Sequence, residues 1–156
     1  MEKFKVIGFI FLFSLGFITP LAAVERDSIL GRWWNETKEA QISIYPCNAK
    51  ICGKLVFLRD PVYPATDNMG MAGKPKLDRE NPEASRRDRP LIGIMVLSDL
   101  TYTGNRVWDK GTIYNPDNGK KHQCRITLDN PNRLKIREYT GTPIFFGRTQ
   151  YWMRVK

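Results

Sequence analysis

Alternation with a period of two runs through most of the chain and fixes the class of fold it can reach. Gln41-Ile42-Ser43-Ile44-Tyr45, Arg125-Ile126-Thr127-Leu128 and Arg133-Leu134-Lys135-Ile136-Arg137 each set apolar side chains on one face and polar ones on the other. That is the pattern of half-buried antiparallel strands. Eight runs of this kind are read near 30–36, 40–46, 51–59, 91–98, 106–114, 120–128, 133–140 and 148–155. Asn115-Pro116-Asp117-Asn118-Gly119 and Asp129-Asn130-Pro131-Asn132 supply the residues that tight turns require. Beyond residue 24 no segment carries a helical stripe, although Asp27-Ser28-Ile29-Leu30 suits one capped helical turn. Sequential strands on short connections predict an all-β fold, an eight-stranded antiparallel up-and-down barrel. Its inside would either be filled by side chains or hold one small ligand. A two-sheet sandwich satisfies the same strand count.

The first residues belong to a different layout. Lys3 and Lys5 precede an apolar run from Val6 to Ile18, Pro20 breaks it, and Ala23 offers a small residue for cleavage. Residues 1–23 therefore read as a secretory signal peptide, because the run falls short of the roughly twenty apolar residues of a membrane span. A retained anchor is the alternative. Cleavage would leave 24–156 as a single domain, large enough to bury about two thirds of its unfolded surface, in the periplasm or secreted, with no transmembrane span.

The formal net charge of +9 favours anionic partners, among them an anionic lipid surface or an acidic envelope protein. An export signal makes nucleic acid an unsuitable one. Of the three cysteines, Cys47 and Cys52 flank four residues, a spacing that suits opposite sides of a tight hairpin. A bridge there is expected to contribute about 2 kcal/mol. Cys124, among strand residues, reads as a small buried hydrophobe.

One long interruption, Asp60 to Pro90, lies between the third and fourth strands. It holds five prolines and the run Arg86-Arg87-Asp88-Arg89. Connections of this length inside a small domain are commonly functional loops, and Arg86, Arg87 and Arg89 could hold an anionic head at a barrel rim. A solvated excursion with some structure around Asp78 and Asn81 is the alternative.

Catalytic chemistry is hard to find. The chain has one histidine, His122, and the serines after residue 24 (Ser28, Ser43, Ser85 and Ser98) sit in no glycine-flanked elbow. Neither a phosphate loop nor a dinucleotide motif is present. Asp78, Glu80 and Glu83 are too scattered to suggest a metal site, and no cofactor is expected. His122 and Cys124 share a strand face without an orienting third group, so packing is the simpler account and no enzyme is predicted. Strict alternation puts Trp108, Lys110, Thr112 and Tyr114 on one face of their strand, with Asp109, Gly111 and Ile113 on the other. If the first face is internal, Trp108 and Tyr114 would meet the apolar body of a ligand. If it is external, they form a patch for a partner. Gly141-Thr142-Pro143-Ile144-Phe145-Phe146-Gly147 suits either a flap over the barrel mouth or a corner whose phenylalanines plug the bottom.

Two resemblances add to this reading. Gly31-Arg32-Trp33 at the start and Arg154 at the end resemble the closure signature of the calycins, the superfamily of lipocalins and fatty-acid-binding proteins. The resemblance implies that the Arg154 guanidinium lies over the Trp33 ring and joins the first strand to the last. The stretch from Gly31 to Arg154 also resembles the bacterial exported-domain family of unknown function numbered 2147. The residues that carry this likeness include Ile44-Tyr45-Pro46-Cys47, Cys52-Gly53-Lys54, Asn81-Pro82, Arg89-Pro90-Leu91-Ile92-Gly93, Gly111-Thr112-Ile113-Tyr114 and Gly147-Arg148-Thr149-Gln150. It implies a lipocalin-like barrel and brings no established ligand or reaction. The expectation is an exported protein binding a small hydrophobic or anionic amphipathic ligand in a barrel cavity. The alternative is an envelope interaction module with a filled barrel and a basic docking surface.

Overall fold

The structure, a computed structural model, describes residues 25–141 and 146–156. The expected signal peptide at 1–23 lies outside the described residues, as do 142–145 of the expected flap or plug. Eight strands follow in chain order: β1 Gly31–Trp34, β2 Ala40–Cys47, β3 Lys50–Leu58, β4 Met95–Gly104, β5 Val107–Asn115, β6 Lys120–Asn130, β7 Arg133–Tyr139 and β8 Gly147–Arg154. Each pairs antiparallel with its neighbour, and β1 returns to β8, so the sheet is a closed barrel rather than a sandwich.

Closure rests on very little backbone. β1 and β8 share only the pairs Trp33↔Arg154 and Trp34↔Met153. Side chains carry the rest of the joint. The Arg154 guanidinium sits 4.1 Å from the Trp33 ring centroid. Its nitrogens donate to the carbonyls of Leu30 at 2.9 Å, Ser28 at 2.8 Å and Pro131 at 2.7 Å. Trp33 Nε1 donates to Ile29 O at 2.8 Å, which ties the helical turn at 25–29 across the closed end. Gly31 explains itself here: its φ is +119°, and a Cβ would stand 3.2 Å from Arg154 Nη1. Toward the other end β1 has stopped, and Glu36 takes its place. The Glu36 carboxylate accepts from the Tyr151 amide at 3.3 Å and from Arg148 Nη2 at 3.1 Å.

Two sequence expectations need correction. The fourth strand is not 91–98 but Met95–Gly104. Leu91 and Ile94 are buried as expected of a strand, yet they reach the core from a loop that turns at Gly93, where φ is +104°. The face assignment of β5 also changes. Register shifts between Trp108 and Gly111, and Lys110 adopts φ 62°. This bulge inserts one residue and reverses parity, so Trp108, Gly111 and Ile113 face inward together. Leu100 of β4 fills the space beside Gly111, where a Cβ would come within 2.6 Å of it. Outside the bulge, Arg125 grips Asp109 through Nε at 2.8 Å and through Nη2. Burial alone would raise the Asp109 carboxyl; the hydrogen bonds from Arg125 and the Lys110 amide outweigh it and hold the group below its ordinary range.

The closed half of the barrel is solid, packed by Trp33, Ile51, Leu100, Trp108, Ile126 and Leu134. At that end Cys47 and Cys52 are bridged across the β2–β3 hairpin, an arrangement compatible with an exported protein. Among the described residues no helix is long and apolar enough to cross a membrane.

Arg154→Ala would remove the ring contact and strand three carbonyls at the joint. It is expected to cost about 2–4 kcal/mol in urea unfolding, whereas Arg154→Lys, which cannot span the three acceptors, should recover only part of that loss.

Candidate functional site

The opposite half of the barrel is hollow. A cavity of about 430 Å³ opens between the β1–β2, β3–β4 and β5–β6 connections. Its floor is apolar, built from Ile42, Leu55, Ile113 and Trp152, inward-facing residues of four different strands, with Val96 of β4 beside them. Alternation along β2 and β3 places Ile42 and Leu55 there, and the β5 bulge brings Ile113 to the same side. Leu91, from the loop before β4, closes one flank.

Two polar side chains also face this space. Glu138 and Gln150 occupy inward positions of β7 and β8, one step nearer the mouth than Ile136 and Trp152. They form a directed ladder. Trp152 Nε1 donates to Gln150 Oε1 at 2.8 Å, and Gln150 Nε2 donates to the Glu138 carboxylate. Around the rim stand Glu36, Glu39, Asp60 and Asp117, with Lys76 and Arg148 as the basic residues. Sequence reasoning missed Glu138, Gln150 and Trp152 as a group. Their signal was available, since Glu138 interrupts the inward series Leu134, Ile136 with a charge.

The residues expected to contact ligand are distributed differently. Trp108 is 0% exposed and borders no described cavity; it packs in the solid half against Tyr102, ring centroids 5.2 Å apart. Tyr114 borders the cavity edge but spends its hydroxyl on the long loop. Arg86 and Arg89 line a separate, smaller space of about 190 Å³ between that loop and the outer wall. Arg86 pairs with Glu83 at 2.7 Å, and Arg87 Nε donates to the Asn81 carbonyl at 2.8 Å. The loop is thus a packed structure, with Asp78 and Asn81 at its organised part as the second reading expected. Phe146, from the expected flap or plug, is 78% exposed.

What anchors the loop is Asp78, 0% exposed. Its Oδ1 accepts from the Tyr114 hydroxyl at 2.6 Å. Its Oδ2 accepts from Asn81 Nδ2 at 2.8 Å and from Arg89 at 3.0 and 2.8 Å. A buried carboxylate needs such partners. Burial, and then the bond to Asp78, pushes the Tyr114 hydroxyl up to about 12.

His122 and Cys124, the pair considered for nucleophilic chemistry, have separate surroundings. His122 Nδ1 lies 3.0 Å from Thr140 Oγ1. Cys124 is fully buried, and burial, with the Glu138 and Asp109 carboxylates adding to it, pushes its thiol up and away from the reactive thiolate. Among the described residues no three metal-ligating side chains gather closely enough to hold an ion.

A closed eight-stranded barrel, solid at one end and hollow at the other, is a lipocalin-like architecture. The chain belongs to the bacterial family described as "Uncharacterized protein conserved in bacteria (DUF2147)", which matches residues 31–154. Among solved structures it is similar to protein HP1028 from the human pathogen Helicobacter pylori, described as belonging to the lipocalin family. The TM-score is 0.68 at 22% identity over 82% of this chain and 83% of that one, a likeness of fold. No curated protein matches the chain.

Tyr114→Phe tests the anchor. At pH 7 the variant should be less stable by about 1–3 kcal/mol, having lost a bond to a buried carboxylate. The raised hydroxyl contributes stability that is whole below about pH 10 and is lost as pH rises toward 12. The wild-type advantage in chemical denaturation should therefore shrink across that window.

Proposed function

We propose that this chain is an exported binding protein that holds a small amphipathic molecule in the hollow half of its barrel. The observation that carries the reading is the cavity itself. A barrel packed solid at one end keeps about 430 Å³ free at the other, within the range of small-ligand sites. An apolar floor beneath a polar rim, open at one end, suits a molecule with an apolar body and a polar head. The ligand's apolar body would lie against Ile42, Leu55, Ile113 and Trp152, and its polar end would meet Glu138 and Gln150.

The hollow favours carriage over the alternative of a filled barrel acting through its basic surface. Trp33 and Arg154 serve closure in this account, not ligand contact. Export and residence in the periplasm or outside the cell rest on the amino-terminal signal pattern together with the Cys47–Cys52 bridge.

Ala40 points into the mouth from the start of β2 and is only partly buried. Ala40→Trp would fill the cavity from its edge with little strain on the core. Binding of N-phenyl-1-naphthylamine, an uncharged apolar probe, should weaken by about tenfold or more, while stability changes by less than about 3 kcal/mol. Equal binding by both proteins, or none by either, would remove the cavity from the account.

A further inference from the structure

We infer that the molecule taken up by the barrel mouth is an organic cation, an amine or related positive head on a short apolar body. This deepens the reading of the mouth as a ligand site and rests on it.

The argument begins with the direction of the ladder on the inner wall. An indole N–H can only donate, so Gln150 must turn its oxygen to Trp152 at 2.8 Å and its amide N–H to Glu138. No other orientation of the amide satisfies both neighbours. The Trp152 N–H and one N–H of the Gln150 amide are thereby consumed, and what remains is the amide's second N–H and, at the upper end, the second oxygen of Glu138. Among the described residues that oxygen accepts from no side chain. The wall therefore presents a charged acceptor beside an apolar floor, and the nearest cation, Arg148 opposite it on β8, is held by Glu36. An anionic head would meet like charge at Glu138. An ammonium would form a charge-assisted bond, stronger than a neutral one.

The rim has the same sign. Glu36 and Arg148 neutralise each other at 3.1 Å. That leaves Glu39, Asp60 and Asp117 with Glu138 inside, against Lys76 alone. The chain as a whole is formally +9, yet the side chains lining the mouth carry more negative than positive charge, in a cleft that strengthens their effect. The arginines that could have reversed this lie elsewhere, bound to Glu83, Asn81 and Asp78. The Trp152 ring adds a surface that attracts cations. These carboxylates ring the opening without converging, and the described residues hold no cluster fit for a metal. The geometry suits a diffuse organic charge with a hydrocarbon body.

Calorimetric titration of the purified protein with n-octylammonium, octan-1-ol and octanoate separates head group from chain. Octylammonium should bind about tenfold or more tightly than either of the others. Glu138→Gln, which keeps an acceptor for Gln150, should bring octylammonium down to the octanol level and leave octanol unchanged. If that variant fails to fold, Asp60→Asn combined with Asp117→Asn, both on exposed connections, should weaken octylammonium severalfold by the same measure. Octanoate binding as tightly as octylammonium, or octylammonium indifferent to these changes, would overturn the cation. Octanol binding equally well, and lost in Ala40→Trp, would overturn it while leaving the cavity reading intact. Failure of all three probes would remove both.

Discussion

The joint between first and last strands is the constraint on which the rest of this barrel depends. Two residue pairs are a thin seam for a sheet that must bend through a full circle. Arg154 makes it sufficient by acting at once on a ring and on three carbonyls from two separate connections. The arginine thus seals the closed end as well as the side, because two of those carbonyls belong to the turn that crosses it. Without closure the sheet would carry two free edges, and an inside would cease to exist.

Closure also explains why the two halves differ. Near the joint, Trp33 and Trp108 fill the bore with large rings, and glycine at 111 lets Leu100 complete the packing. Further along, the inward positions carry medium aliphatic side chains, then Gln150 and Glu138, and the bore is left open. The long loop contributes a wall. It is held by a buried Asp78 whose partners come from the loop itself and from β5, so the mouth has a fixed shape on that side.

Much of the fold was legible in the alternation of Ile42, Ile44, Ile126, Leu128, Leu134 and Ile136, because a barrel wall wets one face and buries the other. The hairpin bridge was legible from the spacing of Cys47 and Cys52. Legibility failed where the backbone broke its own period. The bulge at Lys110 carries no compositional flag, since lysine rarely adopts a positive φ, and it moved Trp108 and Tyr114 to opposite sides. Leu91-Ile92-Gly93-Ile94 looked like a strand because buried loops and strands can share an apolar composition. The arginines at 86, 87 and 89 drew attention as charges, but charge in a sequence does not reveal which groups are already paired. The ladder from Trp152 to Glu138 was missed because it joins residues of two strands whose register only the structure supplies.

Three thiols in one chain leave three ways to make a single disulfide, and exchange among them is the usual route to scrambled products. This barrel leaves one. Cys124 lies in the middle of β6 with no exposed surface and a thiol disinclined to ionise, while the bridged pair lies at the tip of the β2–β3 hairpin. An attacking thiolate must reach the bridge in line with its sulfurs. From inside a wall it cannot, so the folded chain keeps one covalent isomer through any oxidising transit.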